Sequence, residues 1–135
     1  MLKRWYGARG WDLVVCEVSL RVAGSWRFVW RGPGGTEMGA RGVYREIARP
    51  GRLVYTESFD DHWYPGESLV THVLAEQGDK TTLTSTLLYP SQEVRDIVVR
   101  SPMERGVAEG YVRLDEMLTG MLRRADSTAK ERGKP

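Results

Sequence analysis

Residues 101–121 read Ser-Pro-Met-Glu-Arg-Gly-Val-Ala-Glu-Gly-Tyr-Val-Arg-Leu-Asp-Glu-Met-Leu-Thr-Gly-Met. Ser101 is placed to cap a helix, Pro102 occupies the first helical position, where its missing N–H costs nothing, and Glu104 completes a capping box. Met103, Val107, Tyr111, Leu114, Leu118 and Met121 then recur every three or four residues, which makes one apolar stripe. Gly106 and Gly110 lie beside it. Each costs a helix about 1 kcal/mol relative to Ala, so they serve close packing or leave room for something.

Upstream of this helix the period is two. Leu13–Leu20 is rich in β-branched residues, and Ser25–Arg31 alternates Trp26, Phe28 and Trp30 against Arg27 and Arg31. Further strands are expected at about 40–48, 53–59, 67–76 and 80–89, punctuated by Gly32-Pro33-Gly34-Gly35, Arg49-Pro50-Gly51, a loop from Asp60 to Gly66, and Gln77-Gly78-Asp79. Pro90 stops the last strand and Ser91 caps a short helix to Arg100. Six antiparallel strands followed by one long amphipathic helix predict an α+β fold, with the helix on one face of a curved sheet.

The 135 residues suit one domain, and five Trp and six Tyr supply ample material for a core. No apolar run is long enough to span a membrane, and no apolar stretch follows the basic start, so no signal peptide is expected. The lone Cys16 fits a reducing cytoplasm. The net charge is +2, but residues 123–135 hold five basic and two acidic side chains, leaving 15 basic and 16 acidic in residues 1–122. The body is therefore near −1, and the basicity belongs to a tail expected to be disordered. A neutral body without a basic, aromatic-laced stripe argues against nucleic acid as a partner.

Candidate chemistry is sparse. There is no G-x-S-x-G, Walker A or G-x-G-x-x-G motif, and Cys16 reads as a small buried hydrophobe. Asp60-Asp61-His62 offers two metal ligands at most, and reads as a solvated loop. Trp63 and Tyr64 beside it fit a lid over a cavity. His72 shares a strand face with Val70 and Leu74, and Ser85 alternates with Leu83 and Leu87. His72 is either a satisfied core histidine or the polar handle of a pocket, and Trp26, Phe28 and Trp30 are either core or a pocket wall.

Several segments in order carry a resemblance. Glu17-Val18-Ser19-Leu20-Arg21-Val22-Ala23-Gly24-Ser25-Trp26-Arg27-Phe28 resembles the E-x-D-x-R-x-G-G-x-W-R-F stretch of bacterial SRPBCC (START-like) proteins, in the branch like the homologue of the activator of heat-shock-protein-90 ATPase. Arg41–Ile47, Arg52–Thr56, Phe59-Asp60, Lys80–Thr84, Tyr89-Pro90-Ser91 with Arg95-Asp96, Met103–Gly106 and Tyr111-x-Arg113-Leu114-Asp115 agree in turn. The resemblance covers about residues 4–120. It implies a helix-grip fold, in which an antiparallel sheet curls around a long C-terminal helix and leaves an apolar cavity. It carries over no catalytic residue.

Relative to that pattern, the chain starts near Arg4, about where a first strand and two short helices would already have passed, so an open sheet edge is expected. Ser19 and Ala23 stand where Asp and Gly are common, and His72 where an apolar residue is expected.

The expected protein is thus a START-like domain over residues 1–122, binding a hydrophobic or aromatic small molecule between sheet and helix. Trp26, Phe28, Trp30, Val70, His72, Leu74, Leu83, Ser85, Val107 and Tyr111 are its candidate binding residues. No catalytic residue, metal or cofactor is assigned, and a homodimer is expected from the open edge. The alternatives are a cyclase- or hydratase-like enzyme using His72, and a protein-interaction module of the co-chaperone kind.

Overall fold

The computed structural model describes residues 2–132, with side chains through residue 125. Strands β1 (Asp12–Val18), β2 (Ser25–Arg31), β3 (Glu37–Ala48), β4 (Arg52–Phe59), β5 (Ser68–Gln77) and β6 (Lys80–Leu88) precede helices α1 (Gln92–Arg100) and α2 (Met103–Arg132). The strands form one antiparallel sheet in sequence order, β1-β2-β3-β4-β5-β6. Gly78, with φ of 66°, makes the tight β5–β6 turn that a Cβ would strain.

The register decides which side chains share the inner face. Trp26, Phe28 and Trp30 stand opposite Gly42, Ala40 and Met38 on β3, and opposite Val18, Cys16 and Leu13 on β1. A shift between Tyr44 and Glu46 lets Tyr44 oppose Tyr55 and Ile47 oppose Leu53. Leu53, Tyr55 and Glu57 then face His72, Val70 and Ser68, and His72, Val70 and Leu74 face Ser85, Leu87 and Leu83. All eight sheet candidates therefore lie on one face.

The β1–β4 half of this face is the core. Leu13, Trp26, Phe28, Trp30, Ala40, Tyr44 and Phe59 are buried there, joined by Val94 and Val98 of α1. The Trp26 indole lies across Gly42 and donates to the Thr56 carbonyl at 3.2 Å. Ser91 caps α1 by accepting from the Val94 N–H. Ser101 ends that helix and begins the next, its hydroxyl donating to the Val98 carbonyl and accepting from the Met103 N–H.

Helix α2 departs from expectation in how it docks. It turns its glycines, not its apolar stripe, toward its main contact, the segment Leu2–Trp11. A methyl on Gly110 would sit 3.5 Å from the Gly7 carbonyl oxygen, and one on Gly106 3.6 Å from Ala8. Between them and Glu116 the Arg113 guanidinium donates to the carbonyls of Arg4, Gly7, Ala8 and Trp11 at 3.1–3.4 Å. Glu109 accepts from the Arg9 N–H, and Glu116 pairs with the Arg9 side chain. The stripe is left partly uncovered: Val107, Tyr111 and Leu118 are exposed, while Met103, Leu114 and Met121 are half-buried.

The segment expected as a disordered basic tail continues α2 as far as Arg132. No Gly or Pro interrupts residues 121–132, so nothing in the backbone stops the helix before Gly133. The remainder of that tail, residues 133–135, lies outside the described residues. Among the described residues, no helix is long and apolar enough to cross a membrane.

Two outcomes test this packing. A Cβ on Gly42 would fall 1.7 Å from the Thr56 carbonyl oxygen and 2.6 Å from the Trp26 indole nitrogen. Gly42→Ala is therefore expected to lower stability by about 3 kcal/mol through overpacking and loss of the indole bond, read by denaturant unfolding. Arg113→Ala should cost about 2 kcal/mol, and hydrogen exchange should show the loss concentrated in residues 2–11 and α2.

Candidate functional site

The filled half of the inner face holds three of the predicted site residues. The Tyr6 ring sits 5.4 Å from Phe28 and 5.6 Å from Trp30, and its carbonyl accepts from the Trp30 indole at 2.9 Å. Trp26, Phe28 and Trp30 are thus core side chains covered from above, not an open wall. Val70, 2% exposed, is also core. The expected enclosed cavity is corrected accordingly: the N-terminal segment occupies its β1–β3 part. The clefts at the β1–β2 edge and near Arg45, Thr56 and Tyr89 include no residue of α2.

The far end of β5 and all of β6 except Leu87 are open. Leu74 and Leu83, paired across the strands, are 47% and 42% exposed. Every β6 residue except the half-buried Leu87 is exposed. On α2, Val107 and Tyr111 are exposed, and Tyr111 stacks on Trp5 at 6.3 Å. The structure therefore brings His72, Leu74, Leu83 and Ser85 into one patch, with Tyr111 close enough to Tyr55 to be felt electrostatically. Val107 shares the Tyr111 stripe but makes no ring contact or hydrogen bond with that patch.

A hydrogen-bonded chain crosses three strands here. The Tyr55 hydroxyl meets His72 Nε2 at 2.9 Å, and His72 Nδ1 meets Ser85 Oγ at 2.7 Å. Burial pushes the Tyr55 phenol up, so it keeps its proton, and pushes His72 down, so the imidazole is neutral near pH 7. In one tautomer Tyr55 donates to Nε2 and Nδ1–H donates to Ser85, freeing the Ser85 O–H. In the other, Ser85 donates to Nδ1 and offers lone pairs outward. Either way an oriented hydroxyl stands on the exposed strand β6, flanked on its face by Leu83 and Leu87.

Glu57 is the residue that motif-based reading passes over. It lies on β4 between Tyr55 and Phe59, opposite Ser68, and is 7% exposed. Among the described residues no side-chain hydrogen bond or ion pair reaches its carboxylate, yet its oxygens are not sealed from solvent. Desolvation raises its pKa from an ordinary 4.5 to about 7. Its charge is felt by the phenols of Tyr6, Tyr55, Tyr64 and Tyr89.

The loop after β4 packs down on the core. Tyr64 is 3% exposed and packs edge-on against Phe59, Trp63 and Tyr89. Asp60 is held by both guanidinium nitrogens of Arg27. No cluster of metal-ligating side chains occurs among the described residues.

This architecture has relatives. The sequence profile of the Activator of Hsp90 ATPase homolog 1-like protein family matches residues 1–119. The chain belongs to this family. A crystal structure of a Rhodobacter sphaeroides protein is 35% identical, with a TM-score of 0.81 over 88% of this chain and 76% of that one. A Nitrosomonas europaea protein, 20% identical, shares the fold at a TM-score of 0.76 over 90% of this chain and 80% of that one. So does the AHSA1 protein of Silicibacter pomeroyi, 20% identical, at 0.67 over 87% and 81%. No curated protein matches the chain. Membership in the Activator of Hsp90 ATPase homolog 1-like family supports a ligand-binding or co-chaperone-like module with a helix-grip fold, and names no ligand.

Glu57 and His72 give opposite pH signatures. With a folded pKa above its unfolded value, Glu57 contributes stability below pH 4.5 that is lost as pH rises through 7, roughly 3 kcal/mol in all. His72, depressed from 6.5, contributes stability above pH 6.5 that is lost as pH falls. Glu57→Gln removes only the first signature. The stability of the variant relative to wild type should therefore grow between pH 5 and pH 8, as followed by thermal melts across that range.

Proposed function

We propose that the protein binds a hydrophobic or aromatic small molecule against the open β5–β6 half of the sheet. The observation that carries this reading is the Tyr55–His72–Ser85 chain, which ends in an oriented hydroxyl beside the exposed Leu74–Leu83 pair. Apolar surface supplies affinity, and a few placed polar groups supply orientation. Tyr111 and Val107 of α2 are the helix-side partners in this reading, and Val70 lies beneath the patch. Trp26, Phe28 and Trp30 contribute indirectly, as the rigid core that holds β4 in place. A reducing cytoplasmic setting suits the lone, half-buried Cys16.

A second reading is favoured by the same chain. His72 with Ser85 at 2.7 Å is a base–hydroxyl pair oriented by a third group, which is the arrangement general acid–base chemistry requires. The enzyme reading needs turnover that vanishes in His72→Ala. The co-chaperone reading needs the protein to change the ATPase rate of a bacterial Hsp90 homologue. The exposed β6 edge is also compatible with a homodimer, for which light scattering should give twice the chain mass.

Binding of N-phenyl-1-naphthylamine, a neutral aromatic fluorophore, tests the site. Leu83→Asp should weaken it at least tenfold, and Ser85→Ala should leave it within twofold, because this probe needs the apolar surface and not the hydroxyl. No fluorescence enhancement, or equal enhancement by Leu83→Asp, removes the site.

A further inference from the structure

Glu57 is a charge without a counter-charge. It is more than nine-tenths buried, no Lys, Arg or His among the described residues pairs with it, and its oxygens still open onto solvent-reachable space. Buried carboxylates are ordinarily paired, and an unpaired one is costly. The groups beside it are phenols: Tyr55 shares its face of β4, Tyr64 bonds to Ser68 directly opposite, Tyr89 packs edge-on against Tyr64, and the Tyr6 phenol feels its charge. The Tyr6 hydroxyl also has no hydrogen-bond partner among the described residues. Tyr44 and Tyr111 stand one step further out, felt through Tyr55. His72, on the neighbouring strand, is already engaged at both nitrogens.

We propose that the ligand of the open face is an elongated hydrophobic amine, whose ammonium group is held by Glu57 within this ring of tyrosines. The proposal rests on the binding reading above and deepens it. An anionic head, such as a fatty carboxylate, would set two like charges together in a desolvated site. A neutral hydroxyl would leave the carboxylate uncompensated. An ammonium group supplies the missing charge, and aromatic rings around a carboxylate add cation–π attraction. The geometry also sets a length. His72 stands opposite Leu53, four residues from Glu57 along β4, or about 13 Å at roughly 3.4 Å per residue. A ligand reaching from beside His72 to Glu57 must span about that distance.

Three probes of that length differ only in the head group: 6-phenylhexylamine, 6-phenylhexan-1-ol and 6-phenylhexanoate. Isothermal titration at pH 8 should rank amine over alcohol over carboxylate, with the amine at least tenfold tighter than the alcohol. The amine stays charged below pH 9, so its affinity should rise between pH 6 and pH 8 as Glu57 ionises, while that of the alcohol should not. Glu57→Gln should erase the preference and the pH dependence. The pH series on the wild-type protein tests the same assignment without a variant. Equal or tighter binding of the alcohol or the carboxylate, or an amine preference that survives Glu57→Gln, overturns the assignment of an amine and leaves the site standing. Binding of none of the three overturns both.

Discussion

The structure depends on Arg113. One guanidinium, with its donors fixed in a plane, satisfies four backbone carbonyls of the N-terminal segment from a single position on α2. Those carbonyls belong to a stretch with little regular structure of its own, so without the arginine they would turn to water and the segment would come away. That segment carries Tyr6, which closes over Phe28 and Trp30, and Trp5, on which Tyr111 stacks. Gly106 and Gly110 let α2 approach closely enough for the fork to reach. Helix, segment and sheet are therefore joined through a few contacts centred on Arg113, with Glu109, Glu116 and Tyr111 beside it, rather than through a broad apolar seam.

This mode of attachment explains why the inner face divides in two. A helix laid stripe-down would cover the sheet evenly. A helix held through Arg113 instead covers what the N-terminal segment covers, the β1–β3 side, and leaves β6 and the far end of β5 bare. The exposed stripe residues Val107 and Tyr111 and the exposed sheet residues Leu74 and Leu83 are two sides of the same consequence. Apolar surface left open on both elements is what a binding face needs and what a packed core avoids.

Much of this was legible from residue order. Period two before Pro90 and period near 3.6 after Ser101 define strands and helices whatever the packing, and the alternation of Trp26, Phe28 and Trp30 against Arg27 and Arg31 assigns their face. Pairing His72 with Ser85 was also within reach, because both stand among apolar alternating residues in strands joined by a tight turn. The docking of α2 was not legible: a stripe states which residues are apolar, not whether a polar fork will win the contact. Nor can periodicity say that Tyr6, on a short glycine-flanked segment, fills the space above Phe28. Glu57 is the instructive omission. It alternates with Tyr55 and Phe59, so the strand pattern itself puts a carboxylate on the inner face. The signal was a charge in an apolar register, with no motif to mark it.

Glu57 and the His72 chain also differ in what they ask of the fold. The chain is internally satisfied, each nitrogen of His72 having a partner, so it rigidifies the strands at little cost. Glu57 has no such partner and lowers stability at neutral pH. A core position that would be filled most simply by Val or Leu instead holds a group that favours the folded state only when protonated or paired. Residues that break a local rule of stability without compensation elsewhere in the chain point outward, to something the chain meets. In this domain the compensation has to come from whatever occupies the open face. The N-terminal segment, pinned by Arg113, places Tyr6 among the phenols around the carboxylate, which ties the interaction that assembles the fold to the group that waits for a ligand.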